Sequence, residues 1–118
     1  MVTNVRIIIS GGPYPGREKQ ALQLLNEANQ FYVQKKKEAE IEVHDFFVFD
    51  DFSAEIGGIT VLRGDPDKLQ KLDESEEAVS LGHRAQLMFR NLRMVKGFFG
   101  KNLQDRMANY IKQVELLK

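Results

Sequence analysis

Short β-branched or aromatic runs alternate along this chain with longer stretches whose apolar residues recur at helical spacing. The first run, residues 5–10, is Val-Arg-Ile-Ile-Ile-Ser, and Gly11-Gly12-Pro13-Tyr14-Pro15-Gly16 stops it with dense turn chemistry. From 17 to about 37 there is no glycine or proline, and Leu22, Leu25, Ala28, Asn29 and Tyr32 recur at helical spacing, with Leu24 and Phe31 beside them. This predicts a long amphipathic helix, whose basic end, Lys35-Lys36-Lys37, suits the negative end of the helix dipole as a solvated terminus. A second strand is predicted over about 41–49, and within it Glu42-Val43-His44-Asp45-Phe46-Phe47-Val48-Phe49 turns apolar on both faces. Such a strand is expected to be covered twice, once by helices and once by another sheet, which in a chain this short belongs to a partner subunit.

Asp50-Asp51-Phe52-Ser53 breaks that strand, and residues 57–63 form a third. Gly64-Asp65-Pro66-Asp67 reads as a helix start, with Asp65 as N-cap and Pro66 at the first helical position, which gives both aspartates a structural role. A short helix over 66–72 follows. Ser75 caps the next, whose buried stripe is Ala78, Leu81, Ala85, Met88 and Phe89. Residues 93–99 make strand four. Asn102 opens a last helix with Leu103, Met107, Tyr110, Ile111, Val114 and Leu117 on one side, a spacing that permits packing on a partner helix. The class is α+β, and the order β-α-β-β-α-β-α is the ferredoxin-like, split βαβ arrangement with an added C-terminal helix, in a single domain over 1–118. RNA-binding modules share this order, but their third strand interleaves aromatic and basic residues, whereas Gly58-Ile59-Thr60-Val61-Leu62 has neither.

Side-chain alternation sorts the strands into two faces. Val5, Ile7, Ile9, Val43, Phe47, Phe49, Ile59, Val61, Val95 and Phe99 form a nearly pure apolar set, expected under the helices. The other set is mixed: Arg6, Ile8, Ser10, Glu42, His44, Phe46, Val48, Thr60, Leu62, Met94, Lys96 and Phe98. Its grease and few polar groups suit a pocket for an amphiphilic molecule, or a dimer interface.

Composition narrows the chemistry. The 118 residues should bury roughly two thirds of the unfolded chain's surface, enough for a core without staples. There is no cysteine, which removes disulfides, thiolate metal sites and a cysteine nucleophile and fits a cytoplasmic location. Seventeen basic residues balance seventeen acidic ones, so no net field draws the chain to nucleic acid or to a membrane. The apolar run near the N-terminus is too short for a signal-peptide core or a membrane span.

The segment Gly57-Gly58-Ile59-Thr60-Val61-Leu62-Arg63-Gly64-Asp65, followed by a helix bearing Leu69 and Leu72, resembles the dimeric α+β barrel superfamily of ferredoxin-like proteins, over nearly the whole chain. The resemblance implies that two four-stranded sheets from two subunits pack face to face, supplying the second cover that strand two demands. The superfamily includes cofactor-independent monooxygenases acting on polyketide quinones, heme-degrading oxygenases, stress-induced proteins and members without known activity. Heme-degrading members use an Asn, Trp and His set. Here His83 is similarly placed on a helix and Asn4 is near the first strand, but the chain has no tryptophan, so no catalytic set carries across.

Two histidines offer candidate chemistry. Glu42 beside His44 could form an oriented acid/base pair, against the plainer reading of a structural hydrogen bond or ion pair with Arg6 or Lys96. His83 is either a packing histidine or a polar group pointing into a cleft between helix and sheet; the two histidines have no ligand cluster, so no metal and no cofactor is implied. The Gly11 to Gly16 turn follows a strand as phosphate loops do, yet lacks their Gly-Lys-Ser/Thr ending, and a flexible rim with Tyr14 at its tip is the better reading. The leading expectation is a homodimer that binds an apolar or fatty-acid-like small molecule in a cleft between sheet and helices. Leu25, Phe47, Phe49 and Ile59 would enclose the tail, with His83 or His44 and Arg6 or Arg63 as polar anchors. The alternatives are a cofactor-independent monooxygenase-like enzyme with His44 or His83 as base toward an aromatic or polyketide-like substrate, and a non-catalytic interaction or stress module.

Overall fold

The computed structural model describes residues 2–117, which form a mixed α+β fold of one four-stranded antiparallel sheet and four helices besides the loops. The elements run β1 (Val5–Ser10), α1 (Glu18–Lys37), β2 (Val43–Val48), β3 (Gly58–Arg63), α2 (Pro66–Glu74), α3 (Glu76–Met88), β4 (Arg93–Gly97) and α4 (Lys101–Leu116), so that the short helices α2 and α3 together fill one connection. Strand order in the sheet is β2-β3-β1-β4. β3 is antiparallel to both of its neighbours, which leaves β1 and β2 parallel with β3 between them. Strands two and four are shorter than the apolar pattern predicts, because Phe49, Phe98 and Phe99 lie just past the paired segments.

The helix boundaries follow local chemistry. The Asp65 carboxylate accepts the Lys68 backbone amide at 3.1 Å with Pro66 at the first helical position, as the sequence requires. Ser75 works in both directions: its Oγ donates to the Leu72 carbonyl at 2.7 Å and accepts from the Ala78 amide at 3.2 Å, closing α2 and opening α3. The turn Gly11 to Gly16 is not a free rim. Gly11 N–H donates to the Arg90 carbonyl, Gly12 N–H to Ala54 and Tyr14 N–H to Met88, while Arg90 N–H donates back to Gly12. Those amides are spent on the segments that flank the turn, which removes both the anion cradle and the flexible rim. A Cβ on Gly12 would stand 2.7 Å from Ser53 Cα, so glycine is what lets the loops meet.

The face assignment from alternation has to be corrected. The two parity sets are real, but the mixed set lies under the helices and the nearly pure apolar set faces away from them. Arg6, 2% exposed, is ion-paired to Asp73 of α2; Leu62 packs with Ile41 and Leu72; and the His44 ring sits 5.5 Å from that of Tyr32 on α1. Arg6 and Lys96 pair with Asp73 of α2 and His44 lies beside Tyr32 of α1, so these polar groups carry little penalty on that side. On the other side Phe47, Phe49, Val95 and Phe99 remain between 42% and 52% exposed. Strand two lies at one edge of the sheet, and among the described residues its second cover is absent.

Two small cores complete the interior: Ala21, Leu24, Leu81 and Phe89 where α1 meets α3, and Ile41, Leu62 and Leu72 beneath Phe31 and Tyr32. Arg84 of α3 grips both carboxylate oxygens of Glu27 on α1, at 2.7 and 2.8 Å, and closes the helix pair at its solvent side. No described helix is long and apolar enough to cross a membrane. α4 contributes no buried residue.

Candidate functional site

The helix α3 packs on α1 and α2 rather than on β4, and the gap this leaves above the sheet is a cavity of about 380 Å³. Its inner wall is Leu24, Leu25 and Ala28 of α1 with Leu81, Ala85 and Phe89, closing on Ile8, Ile59 and Phe46 of the sheet. Except for Ile59, which belongs to the parity set facing away from the helices, these are the inward stripes of two helices and helix-side strand positions, so the apolar lining follows from the same periodicity that builds the core. The outer wall differs. Val79, His83 and Gln86 on α3 face Leu92, Arg93 and Met94 across the opening, and His83, Gln86 and Arg93 are all solvent-exposed.

A second polar group stands where α1 and α2 approach the sheet. Tyr32 and Asp73 both line the cavity. The Arg6 Nε donates to Asp73 Oδ2 at 2.8 Å, the Lys96 ammonium lies 3.6 Å from the same oxygen, and one terminal Arg6 nitrogen donates to the Thr3 hydroxyl at 2.9 Å. One carboxylate thus faces two cations, the better paired of them almost fully buried. The Tyr32 phenol is pushed up to about 12, first by burial and then by the Asp73 charge, and its hydroxyl makes no protein hydrogen bond among the described residues. A neutral phenol can both donate to and accept from an uncharged polar group.

The anticipated residues are therefore divided. Leu25, Ile59 and His83 line the cavity. Phe47 and Phe49 belong to the opposite side of the sheet, a consequence of the reversed face assignment. Arg6 reaches the cavity only through Asp73, and His44 only through the ring of Tyr32. Arg63 lies 3.8 Å from the centre of the Phe99 ring, away from the cavity. Glu42 and His44 do not hydrogen-bond each other among the described residues. His44 is instead lowered below the usual histidine value by burial foremost, with the Asp45 charge opposing and Lys36 adding to the shift. Arg6 and Lys96 pair with Asp73 and not with Glu42. Among the described residues no group of three or more His, Cys, Asp or Glu converges as a metal site would.

Sequence reading missed Asp73 and the role of Tyr32. The available signal was an acid at the end of a helix whose leucines are buried, and a tyrosine in an otherwise aliphatic stripe; neither identifies its partner before the strands are placed.

No family model matches the chain and no curated protein matches it significantly. Among solved structures it is similar to the crystal structure of PA3566 from Pseudomonas aeruginosa, with a TM-score of 0.59 at 15% sequence identity over 85% of this chain and 97% of that one. At that identity the likeness is one of fold: a small α+β protein built on a four-stranded antiparallel sheet with helices.

Proposed function

We propose that this protein is a homodimer of ferredoxin-like subunits that binds an apolar, weakly polar-headed small molecule in the cavity between α1, α3 and the sheet. The observation that carries this reading is the cavity itself: about 380 Å³, lined mainly by Leu, Ile, Ala and Phe, with a few polar groups, Tyr32 and Asp73 at one place, Ser10 and Thr60 on the sheet, and His83, Gln86 and Arg93 at its opening. That volume falls within the roughly 300–1,000 Å³ of ordinary ligand sites, and the few polar groups would orient a ligand that the apolar wall holds. The strand order β2-β3-β1-β4, equivalent when read from the other edge to β4-β1-β3-β2, supports the ferredoxin-like reading, and the open apolar sheet face supports pairing through that face.

The test is equilibrium binding of an apolar fluorescent probe, N-phenyl-1-naphthylamine, with 1-decanol and decanoate as competitors. The wild type is expected to bind the probe, and Ala28→Trp, which places an indole in the cavity, is expected to weaken binding at least tenfold. Equal binding by both proteins would remove the cavity from consideration.

A second reading is an oxygenase or isomerase without cofactor, which His83 at the opening supports because a base there would meet an acidic carbon of a bound substrate. It predicts that His83→Ala loses turnover while retaining probe binding; loss of neither leaves only the binding role.

A further inference from the structure

The last helix has no place in its own subunit. Gly100, at φ 67°, turns the chain out of β4, and α4 then runs 16 residues without burying a single one. It packs substantially against no other element among the described residues, and the protein extends 54 Å along one axis but 23 Å along another. Only its base is tethered: Asn102 Nδ2 donates to the Val2 carbonyl at 3.1 Å, and the Arg106 guanidinium lies 4.7 Å from the centre of the Phe98 ring.

Yet the helix is amphipathic. Leu103, Met107, Tyr110, Ile111 and Val114 form one stripe, 42% to 64% exposed, and Leu117 just beyond is 87% exposed. A stripe of that kind is stable only when another surface covers it. We infer that α4 is an intersubunit arm whose apolar stripe packs on a second copy of this chain.

This rests on the homodimer reading and adds to it a specific contact outside the sheet. Continuity is the first support, because the Phe99 ring on the open sheet face lies two residues before α4 begins, so stripe and face belong to one apolar tract. Area is the second. Ten exposed large side chains, six on the α4 tract and four on the sheet face, leave on the order of 800–1,000 Å² of surface per subunit, comparable to the roughly 800 Å² that a stable interface takes from each partner and more than monomers usually expose in one patch. Charge is the third. Lys101, Arg106 and Lys112 stand against Asp105 and Glu115, so α4 carries a basic excess of only one charge, far short of the basic-rich face that an anionic lipid surface recruits, and two neutral subunits do not repel.

Sedimentation equilibrium of the full-length chain tests the arm. The double variant Met107→Glu/Ile111→Glu is expected to raise the dimer dissociation constant at least 100-fold, and the milder Tyr110→Lys about tenfold; neither side chain touches the subunit's own core, so both variants should fold. A dimeric wild type with unchanged constants in both variants would overturn the arm and leave the sheet-to-sheet dimer standing. A monomeric wild type would overturn both. A monomer that co-sediments with phosphatidylcholine vesicles, and loses them in the double variant, would assign the stripe to a lipid surface and equally overturn the proposal.

Discussion

Asp73 is the residue on which most depends locally. It neutralises Arg6, whose side chain is almost wholly buried, and removing it strands a guanidinium where water cannot reach. Asp73→Ala is expected to lower stability by roughly 3–5 kcal/mol in urea denaturation. Arg84→Ala, which breaks an exposed ion pair with Glu27, should leave the midpoint nearly unchanged. His44 and Tyr32 give the pH behaviour. Burial lowers His44 in the folded state, so between that value and the ordinary 6.5 the unfolded chain binds the extra proton. Stability should therefore fall as pH drops below about 6.5 and level off once the folded value is passed; His44→Gln should flatten this slope in urea titrations at pH 5 and 7.5. Tyr32 acts at the other end. Its phenol stays protonated up to about 12 when folded but ionises near 10 when unfolded, so stability contributed there is present below pH 10 and lost between 10 and 12. Spectrophotometric titration of Tyr32→Phe should lack the late-ionising phenol.

At the scale of elements, caps and turns were legible from composition because the chemistry that makes them is local. Asp65 before Pro66, and Ser75 three residues before Ala78, state their hydrogen bonds in the sequence itself. Ser75→Ala loses two such bonds at the junction of α2 and α3 and is expected to cost about 1–2 kcal/mol, measured as a shift in the denaturation midpoint. Gly57 was legible only as a strand start. A Cβ there would run into the Phe52 carbonyl, a contact made by a loop whose path no local rule supplies, so Gly57→Ala should cost roughly 1–3 kcal/mol in the same assay. The Gly11-Gly12 pair was read as a rim for the same reason: its amides are spent on carbonyls 40 or more residues away in sequence.

For the whole molecule, the prominent fact is an α+β fold with its purest apolar sheet face outside. Val95→Asp, in the open sheet face, should leave circular dichroism unchanged, because the carboxylate meets water in the single subunit, while it abolishes self-association in sedimentation if the faces pair. The sequence alone determined the elements, their order, the two parity sets on the strands, and the existence of an unpartnered apolar surplus. Those depend on side-chain periodicity and on capping groups within a few residues of one another. Tertiary structure decided which parity set the helices cover, that Arg6, Lys96, Asp73 and Tyr32 meet, and that α3 stands off β4 to leave a cavity. The direction in which a sheet's helices cross is a property of the chain's path, and hydrophobicity could not read it because both faces of this sheet were apolar enough to be buried.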